Sequence, residues 1–265
     1  MNASPLIRYA HVTKQFPGRG STPVTAVDDV SLEVAAGDFI AVVGGSGSGK
    51  TTLLRLTNRL IEADAGEIIV DGENVRSVDA VALRRRIGYV FQSAGLFPHM
   101  SVADNIGITP RLLGTPPNEI AARVDELLGL VRLEPTAYRD RLPQELSGGQ
   151  RQRVGVARAL AAKPRIVLMD EPFGALDPLT RDALGEDYRA LHRQLGLTTV
   201  MITHDMTEAM LLADRIAVLR TGRLLAQGTA AELAASTDDY VAELMRTPRR
   251  QTERLNEVLA RQGAA

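Results

Sequence analysis

A glycine-rich segment at residues 44–51 is the part of the sequence that most clearly predicts chemistry. It reads GGSGSGKT, fits the pattern G-x-x-x-x-G-K-[ST], and lies between a predicted strand and a predicted helix. Glycines let backbone N–H groups converge on one centre, and a helix N-terminus adds partial positive charge. Lys50 can then neutralise phosphate oxygens, and the Thr51 hydroxyl can bind Mg²⁺. The segment therefore predicts a nucleotide phosphate site rather than a glycine turn with an incidental lysine.

Two adjacent carboxylates follow the apolar run at residues 166–169. Buried strands of this kind deliver ligands at their C-terminal edge, so we expect Asp170 to hold Mg²⁺. Glu171 should point the other way, and a carboxylate within reach of an attacking water can act as a general base. The alternative is a pair of solvated acids after a core strand, and a phosphate loop in the same chain argues against it.

A second segment of serine and glycine, LSGGQ at residues 146–150, precedes another predicted helix. It can form a second anion site, because it again places a hydroxyl and free backbone amides at a helix N-terminus. The alternative is a plain helix cap in which Ser147 satisfies one free amide. The segment taken alone leaves both interpretations open.

The elements that must position these residues follow the pattern of an α/β protein. Short apolar runs predict strands at residues 7–12, 27–34, 39–43, 67–70, 87–91, 166–169, 199–202 and 216–219. Apolar residues at helical spacing predict helices at residues 50–60, 120–130, 150–161, 180–195 and 206–213. Strands that alternate with helices favour a parallel sheet, so we expect the two ends of this alternation to share one sheet.

Three segments depart from this alternation. From about residue 101 to residue 162 the pattern is helical with no strand candidate, which predicts an inserted helical subdomain. Residues 221–222, Thr-Gly, lie between two short apolar runs and predict a closing hairpin. After about residue 239 the propensity is helical, and this peripheral tail carries on one face Leu255, Val258 and Leu259.

Composition and charge exclude several classes of function. The 265 residues carry a formal net charge of -1 and contain no cysteine. A near-neutral chain has no long-range field that favours nucleic acid, and without cysteine it has neither disulfides nor a thiolate metal site. The N-terminus lacks the pattern of a secretory signal, and no window approaches the roughly 18 apolar residues of a spanning helix. We therefore expect any contact with a membrane to be made through another protein.

The motifs together resemble those of ABC ATPases, whose order and spacing are matched by residues 44–51, 146–150, Asp170-Glu171, Leu176-Asp177 and His204. The similarity extends from about residue 6 to about residue 245. It implies an α/β fold of the P-loop NTPase type, with an ABC ATPase domain at residues 6–242. This domain should include an antiparallel β-subdomain and a helical subdomain at about residues 93–162. The sequence itself predicts a short helical tail at residues 243–265, and here it departs from the many osmoprotectant ATPases that carry CBS repeats after the ATPase domain.

The resemblance implies a role for each residue that matches a motif of the family. It implies that ATP contacts Phe16, Gly44, Gly45, Ser46, Gly47, Ser48, Gly49, Lys50, Thr51 and Thr52. It implies that the ATP of a second subunit contacts Leu146, Ser147, Gly148, Gly149, Gln150 and Asp177. It implies catalytic roles for Glu171, His204 and Gln92, and Mg²⁺ binding by Thr51, Gln92 and Asp170. The alternatives are a core ring for Phe16, an incidental polar residue for Gln92, and structural roles for Asp177 and His204.

The resemblance also implies which partners the chain has. The active unit should be a homodimer, because the family binds ATP between residues 44–51 of one subunit and residues 146–150 of the other. Its direct partners should be integral membrane permease subunits, and an extracytoplasmic substrate-binding protein should be an indirect one. The chain should then lie at the cytoplasmic face of the inner membrane.

A segment beside Gln92, residues 100–114, is expected to face the permease. Leu96, Phe97 and Met100 are apolar side chains that suit a groove at such an interface. The alternative is that these three side chains pack within the helical subdomain.

Within the family, four stretches look most like importers of osmoprotectants such as glycine betaine, choline and carnitine, namely residues 58–62, 84–89, 95–99 and 170–178. The transported solute is inferred here from the ATPase rather than from a substrate site. The alternatives are an importer of amino acids, a lipid-trafficking or export system, and a soluble ABC protein acting on ribosomes or DNA. The last class is disfavoured by the single phosphate loop and the absence of a heptad insert or a basic patch.

Overall fold

The computed structural model describes residues 5–18 and 22–263. Its strands are β1 (Ile7–Phe16), β2 (Val24–Val34), β3 (Phe39–Val43), β4 (Ala65–Val70), β5 (Glu73–Asn74), β6 (Ile87–Val90), β7 (Ile166–Asp170), β8 (Thr198–Ile202), β9 (Arg215–Arg220) and β10 (Arg223–Gly228). Its α-helices are α1 (Lys50–Thr57), α2 (Ala80–Arg86), α3 (Val102–Leu112), α4 (Pro117–Leu130), α5 (Pro135–Tyr138), α6 (Gly148–Leu160), α7 (Pro178–Leu195), α8 (Met206–Leu212), α9 (Ala230–Ala234) and α10 (Asp239–Gly263).

The strands form two sheets. A six-stranded sheet has the order β10-β9-β3-β8-β7-β6, in which only β10 runs antiparallel to its neighbour. A four-stranded antiparallel sheet has the order β2-β1-β4-β5. The expectation that both ends of the alternation share one sheet is confirmed for β3 and β6. The other early strands instead form the antiparallel sheet.

The central strands of the large sheet are buried on both faces, as is typical of parallel strands. In β3 the residues Phe39, Ala41 and Val43 face one apolar core, and Ile40 and Val42 face the other. The first core also takes in the helices between β6 and β7, and the second takes in α1 and the antiparallel sheet. The large sheet is therefore the middle layer between the two cores. Residues that follow the carboxyl ends of its parallel strands can then lie close together.

The segment between β6 and β7 contains only helical elements and loops in the described chain, as its helical spacing predicted. Two of its helices begin where the sequence provides a cap. The Ser101 side chain accepts a hydrogen bond from the Asp104 N–H at the start of α3, and Ser147 and Gln150 form a reciprocal capping box at the start of α6. The predicted limits of this subdomain, residues 93 and 162, remain predictions.

Several sequence-based boundaries are wrong. The helix predicted at residues 50–60 ends at Thr57, because Arg59 has a left-handed backbone (φ 52°) that a helix cannot continue through. The strand predicted at residues 7–12 extends to Phe16, because its last, more polar residues also pair with β2. Short elements such as α2 and β5 were not predicted, since they are too short to show a period.

The C-terminal part folds back toward the sheet before it leaves the core. The hairpin predicted at residues 221–222 is confirmed as the turn between β9 and β10. The first turns of helix α10 contain the buried residues Val241 and Met245, whereas Leu255, Val258 and Leu259 are exposed, as expected for a peripheral tail. Residues 264 and 265 of the predicted tail lie outside the described residues. Among the described helices, none has the length and apolar character needed to cross a membrane.

Candidate nucleotide site

The glycine-rich segment forms a loop between the end of β3 and the start of α1. Three of its glycines are required, because Gly44, Gly47 and Gly49 have φ values of 153°, 74° and 98°. A Cβ atom on Gly44 would lie 2.1 Å from the carbonyl oxygen of Leu219, and one on Gly49 would lie 2.1 Å from that of Ala26. The backbone of the loop thus packs directly against β9 and β2, and there is no room for side chains at these two positions.

The turn between β9 and β10 supports the loop from behind. The Gly222 N–H donates to the Ser48 carbonyl at 3.1 Å, and the Gly222 carbonyl accepts from the Asp28 N–H at 2.9 Å. The Ser48 side chain is buried, whereas Gly45, Ser46 and Gly47 are exposed. The exposed residues form the open side of the loop, where a phosphate group could approach.

Lys50 lies at the centre of the loop and is only 6% exposed. Its ammonium donates to the carbonyl oxygens of Gly44 at 2.8 Å and Gly45 at 3.0 Å, and to the Ser48 hydroxyl at 3.3 Å. Burial lowers the pKa of Lys50, and the negative charges of Glu171 and Asp170 oppose that shift. A cation is therefore held inside the glycine loop and close to both acids.

The hydroxyl of the loop and the first acid of β7 meet directly. Thr51 Oγ1 donates to Asp170 Oδ1 at 3.3 Å, and the hydroxyl of Tyr89 donates to Asp170 Oδ2 at 3.4 Å. Burial raises the pKa of Asp170, and burial together with the Asp170 charge raises the pKa of Tyr89. The predicted metal ligands Thr51 and Asp170 are thus brought together. Tyr89 was not predicted, since a tyrosine on an apolar strand has no distinguishing pattern.

The three predicted catalytic residues also come together, at the ends of β6, β7 and β8. Gln92 Nε2 donates to Glu171 Oε2 at 3.1 Å, and His204 Nδ1 lies 3.2 Å from the same oxygen. Glu171 has a left-handed backbone (φ 46°), and its N–H donates to the Ile202 carbonyl at the end of β8. The two adjacent acids therefore have different partners, since Asp170 bonds to Thr51 and Tyr89. Carboxyl ends of parallel strands commonly assemble sites in this way.

Phe16 lies at the end of β1 and is 38% exposed, with the Lys14 ammonium 5.5 Å from its ring centre. The alternative of a fully buried core ring is therefore wrong for this residue. An exposed aromatic face is available for stacking. Thr52, the other predicted contact outside the glycines, is half-buried in the first turn of α1.

The second serine and glycine segment, residues 146–150, caps helix α6 and packs against α7. Ser147 caps α6, Leu146 is buried, and Gln150 Nε2 donates to the Tyr138 hydroxyl at 2.9 Å. A Cβ on Gly149 would lie 2.5 Å from Thr180 Cγ2, so the segment packs closely against the start of α7. No hydrogen bond among the described residues joins it to the glycine loop. The cap is present, and the backbone amides beside it remain at the helix N-terminus.

Asp177 caps the neighbouring helix α7. Its side chain accepts from the Thr180 N–H at 3.0 Å, and this interaction with Thr180 lowers the pKa of Asp177. Asp177 thus has a structural role as a helix cap, and its carboxylate is also at the surface. Its contact with the ATP of a second subunit stays a prediction.

A nucleotide phosphate with Mg²⁺ fits these residues. The cradle has no space for side chains at Gly44 and Gly49, and it offers amide and ammonium donors. The described residues contain no cluster of three or more His, Cys, Asp or Glu side chains that could hold a metal by themselves. Mg²⁺ is commonly bound through one or two carboxylates together with substrate phosphates, and Asp170 beside Thr51 can supply such a carboxylate.

Comparison with known proteins agrees with the geometry. A sequence profile of the ABC transporter family matches residues 27–174. The chain belongs to the ABC transporter family. Two curated members are similar over most of it: a choline transport ATP-binding protein of Bacillus subtilis (48% identity; 91% of this chain, 62% of the relative) and a glycine betaine uptake system ATP-binding protein of Escherichia coli (47% identity; 90% of this chain, 76% of the relative). The chain thus spans about three fifths of the length of the Bacillus relative.

A solved structure has the same fold as this chain. It is a dimeric post-hydrolysis state of an ATP-binding cassette bound to ADP and Pi, with a TM-score of 0.75 and 32% identity over 84% of this chain and 98% of that one. The predicted fold class, an α/β P-loop NTPase of ABC type with an antiparallel sheet and a helical insertion, is confirmed.

Proposed function

We propose that the chain is the ATP-hydrolysing subunit of an ABC importer for osmoprotectant quaternary amines such as glycine betaine, choline or carnitine. The assignment of ATP hydrolysis rests on one observation: Gln92 and His204 both contact Glu171, beside a glycine loop that contains Lys50. The names of the relatives from Bacillus and Escherichia support this class of solute.

The loop binds the phosphates and the neighbouring residues bind the metal. Its glycine amides and Lys50 neutralise phosphate oxygens, and preorganised donors of this kind are usually the largest contribution to phosphoryl transfer. Thr51 Oγ1 and Asp170 Oδ1, which lie 3.3 Å apart, would hold Mg²⁺ together with Gln92. The Phe16 ring stacks on the base, which its exposure permits.

Glu171 is the general base that accepts a proton from the attacking water. Its Oε2 atom is contacted by both Gln92 and His204, so two neighbours fix the direction of this carboxylate. A base is effective only when it is held in hydrogen-bond reach of the proton that it removes. His204, whose Nδ1 lies 3.2 Å from this carboxylate, is the residue that we assign to the outermost phosphate.

The working unit is a homodimer in which residues 146–150 of one subunit complete the site of the other. The segment offers Ser147 and free amides at the N-terminus of α6, and it makes no hydrogen bond to its own glycine loop in the described chain. Asp177, at the surface beside it, belongs to the same in-trans contact. The dimer of the related cassette supports this arrangement.

The permease contacts a groove between the large sheet and the helical insertion, here called the Phe97 groove. It is an apolar cavity of about 540 Å³ whose walls include Phe91, Phe97, Leu112 and Arg158. Phe97 is 41% exposed, whereas Leu96 packs against the core, so of these two only Phe97 serves as an anchor. With a permease in this groove, the chain works as a peripheral subunit at the cytoplasmic face of the membrane.

The test is to purify the tagged chain together with its membrane subunits and to measure phosphate release. We expect glycine betaine or choline, added with the extracytoplasmic binding protein, to stimulate hydrolysis, and Glu171→Gln to abolish the stimulated rate. Stimulation by amino acids alone would overturn the proposed solute. Failure of the complex to hydrolyse ATP under any condition would overturn the function.

A further inference from the structure

The C-terminal helix touches the glycine loop through one side chain. The hydroxyl of Tyr240, the second residue of α10, accepts a hydrogen bond from the Gly45 N–H at 3.2 Å. These two residues are 195 positions apart in the sequence. Gly45 itself is exposed, and a Cβ at that position would have only this hydroxyl within 4 Å, at 3.8 Å.

The peptide unit that Tyr240 contacts is also held from its other side. Its N–H belongs to Gly45 and its carbonyl belongs to Gly44, and that carbonyl accepts from Lys50 Nζ at 2.8 Å. One peptide plane is thus fixed by α10 on one side and by the central lysine on the other. Its orientation sets the path by which the chain leaves β3 and enters the loop.

The Tyr240 side chain is itself held in place. The Arg220 guanidinium, at the end of β9, lies 4.6 Å from the centre of the Tyr240 ring, within the range of a cation–π interaction. The next residue, Val241, is fully buried, and Met245 one turn later is buried in the same core. The Asp238 side chain accepts from the Val241 N–H at 3.0 Å, which fixes the first turn of α10.

We propose that Tyr240 is a positioning residue for the phosphate loop, so that the start of α10 contributes to nucleotide affinity. The inference rests on the proposed ATPase function. A loop that is already held in its binding conformation loses less conformational freedom when a nucleotide binds, and this preorganisation strengthens binding. The hydroxyl contributes to affinity without touching the nucleotide.

The test compares the full-length wild-type chain with Tyr240→Phe, which removes the hydroxyl and retains the ring beside Arg220. We expect the Kd for ADP, measured by calorimetry, to rise about 2- to 10-fold, as the net effect of one neutral hydrogen bond implies. The kcat at saturating ATP should stay within about twofold, since the groups around Glu171 are untouched.

The matched control is Tyr188→Phe. Tyr188 is a buried tyrosine whose hydroxyl bonds to Thr199 at 2.8 Å, so its loss perturbs the fold without touching the loop. We expect Tyr188→Phe to lower thermal stability and to leave the Kd for ADP unchanged. Equal increases of the Kd for ADP in both variants, or no increase in Tyr240→Phe, would overturn the inference. If the wild-type chain still bound ADP, the proposed function would stand. A wild-type chain that bound no ADP would overturn both.

A second comparison tests the route through the Gly45 amide. Gly45→Pro removes the N–H donor, and Gly45→Ala retains it as the control. If the hydroxyl acts through this amide, Tyr240→Phe should raise the Kd in the Gly45→Ala background and add nothing in the Gly45→Pro background. An equal effect of Tyr240→Phe in both backgrounds would contradict the route.

Discussion

Replacement of Asp187 by alanine should destabilise the fold through one buried ion pair. Asp187 lies on α7 and is only 6% exposed. Its carboxylate contacts Arg153 Nη1 on α6 at 2.7 Å and Arg132 Nη2, after α4, at 2.6 Å. The pair therefore fastens the helical insertion to the helix that follows Asp177, and it connects the two segments assigned to the in-trans contact.

The expected loss of unfolding free energy depends on how well Arg153 is still paired in Asp187→Ala. Removal of one partner from a buried ion pair costs about 3–5 kcal/mol of unfolding free energy, because the remaining charge loses its compensation. Arg153 keeps one acceptor, the Val131 carbonyl at 2.8 Å, so we expect the lower end, about 3 kcal/mol. For 265 residues at about 2.1 cal/mol/K each, the unfolding entropy is about 0.56 kcal/mol/K, and Tm falls by about 5 °C.

The assay is thermal unfolding followed by circular dichroism, supported by calorimetry. The matched control is Arg132→Gln, because the Arg132 side chain is 73% exposed and exposed pairs contribute about 0–1 kcal/mol. We expect this control to lower Tm by less than about 2 °C. A Tm for Asp187→Ala within 1 °C of the wild type, or an equal loss in both variants, would refute the argument.

Three further predictions concern the site and its surroundings. Glu171→Gln should bind ATP but release phosphate about 10²- to 10⁴-fold more slowly, since it keeps the shape and loses the base; a wild-type rate would remove Glu171 from that role. Gly49→Ala should abolish ADP binding measured by calorimetry, because its Cβ would lie 2.1 Å from the Ala26 carbonyl at a φ of 98°, and normal binding would show that the loop can move. Burial, followed by the Arg189 charge, lowers the pKa of His192. As pH falls, the unfolded chain therefore binds a proton at His192 near the ordinary pKa, about 6.5, before the folded chain does. The free energy of unfolding, measured with urea, should fall as pH drops below about 6.5. His192→Gln should weaken this pH dependence.

Much of the candidate site could be predicted because its signals are local. The glycine loop is a contiguous pattern between a strand and a helix, and the geometry it needs is encoded within eight positions. The acids at the end of β7 and the cap at Ser147 are likewise short-range features. Long apolar or periodic segments predicted most of the strands and helices for the same reason, since burial imposes a period on neighbouring residues.

The remaining features depend on contacts between distant parts of the chain. The backbone turn at Glu171, which places its carboxylate between Gln92 and His204, is fixed by a bond to the end of β8. The hydroxyl of Tyr89 on Asp170 and that of Tyr240 on Gly45 join residues 81 and 195 positions apart. No periodicity or motif in the sequence marks such pairs, because each arises only when separate elements pack.

The sequence by itself determined the family, the fold class and most of the candidate site residues, because these depend on local patterns and their order. Only the tertiary structure decided which of those residues touch. It also divided the early strands between two sheets, ended α1 at Thr57 and left Phe16 at the surface. Those outcomes depend on which surfaces are buried together, and burial is a property of the packed chain rather than of any one segment.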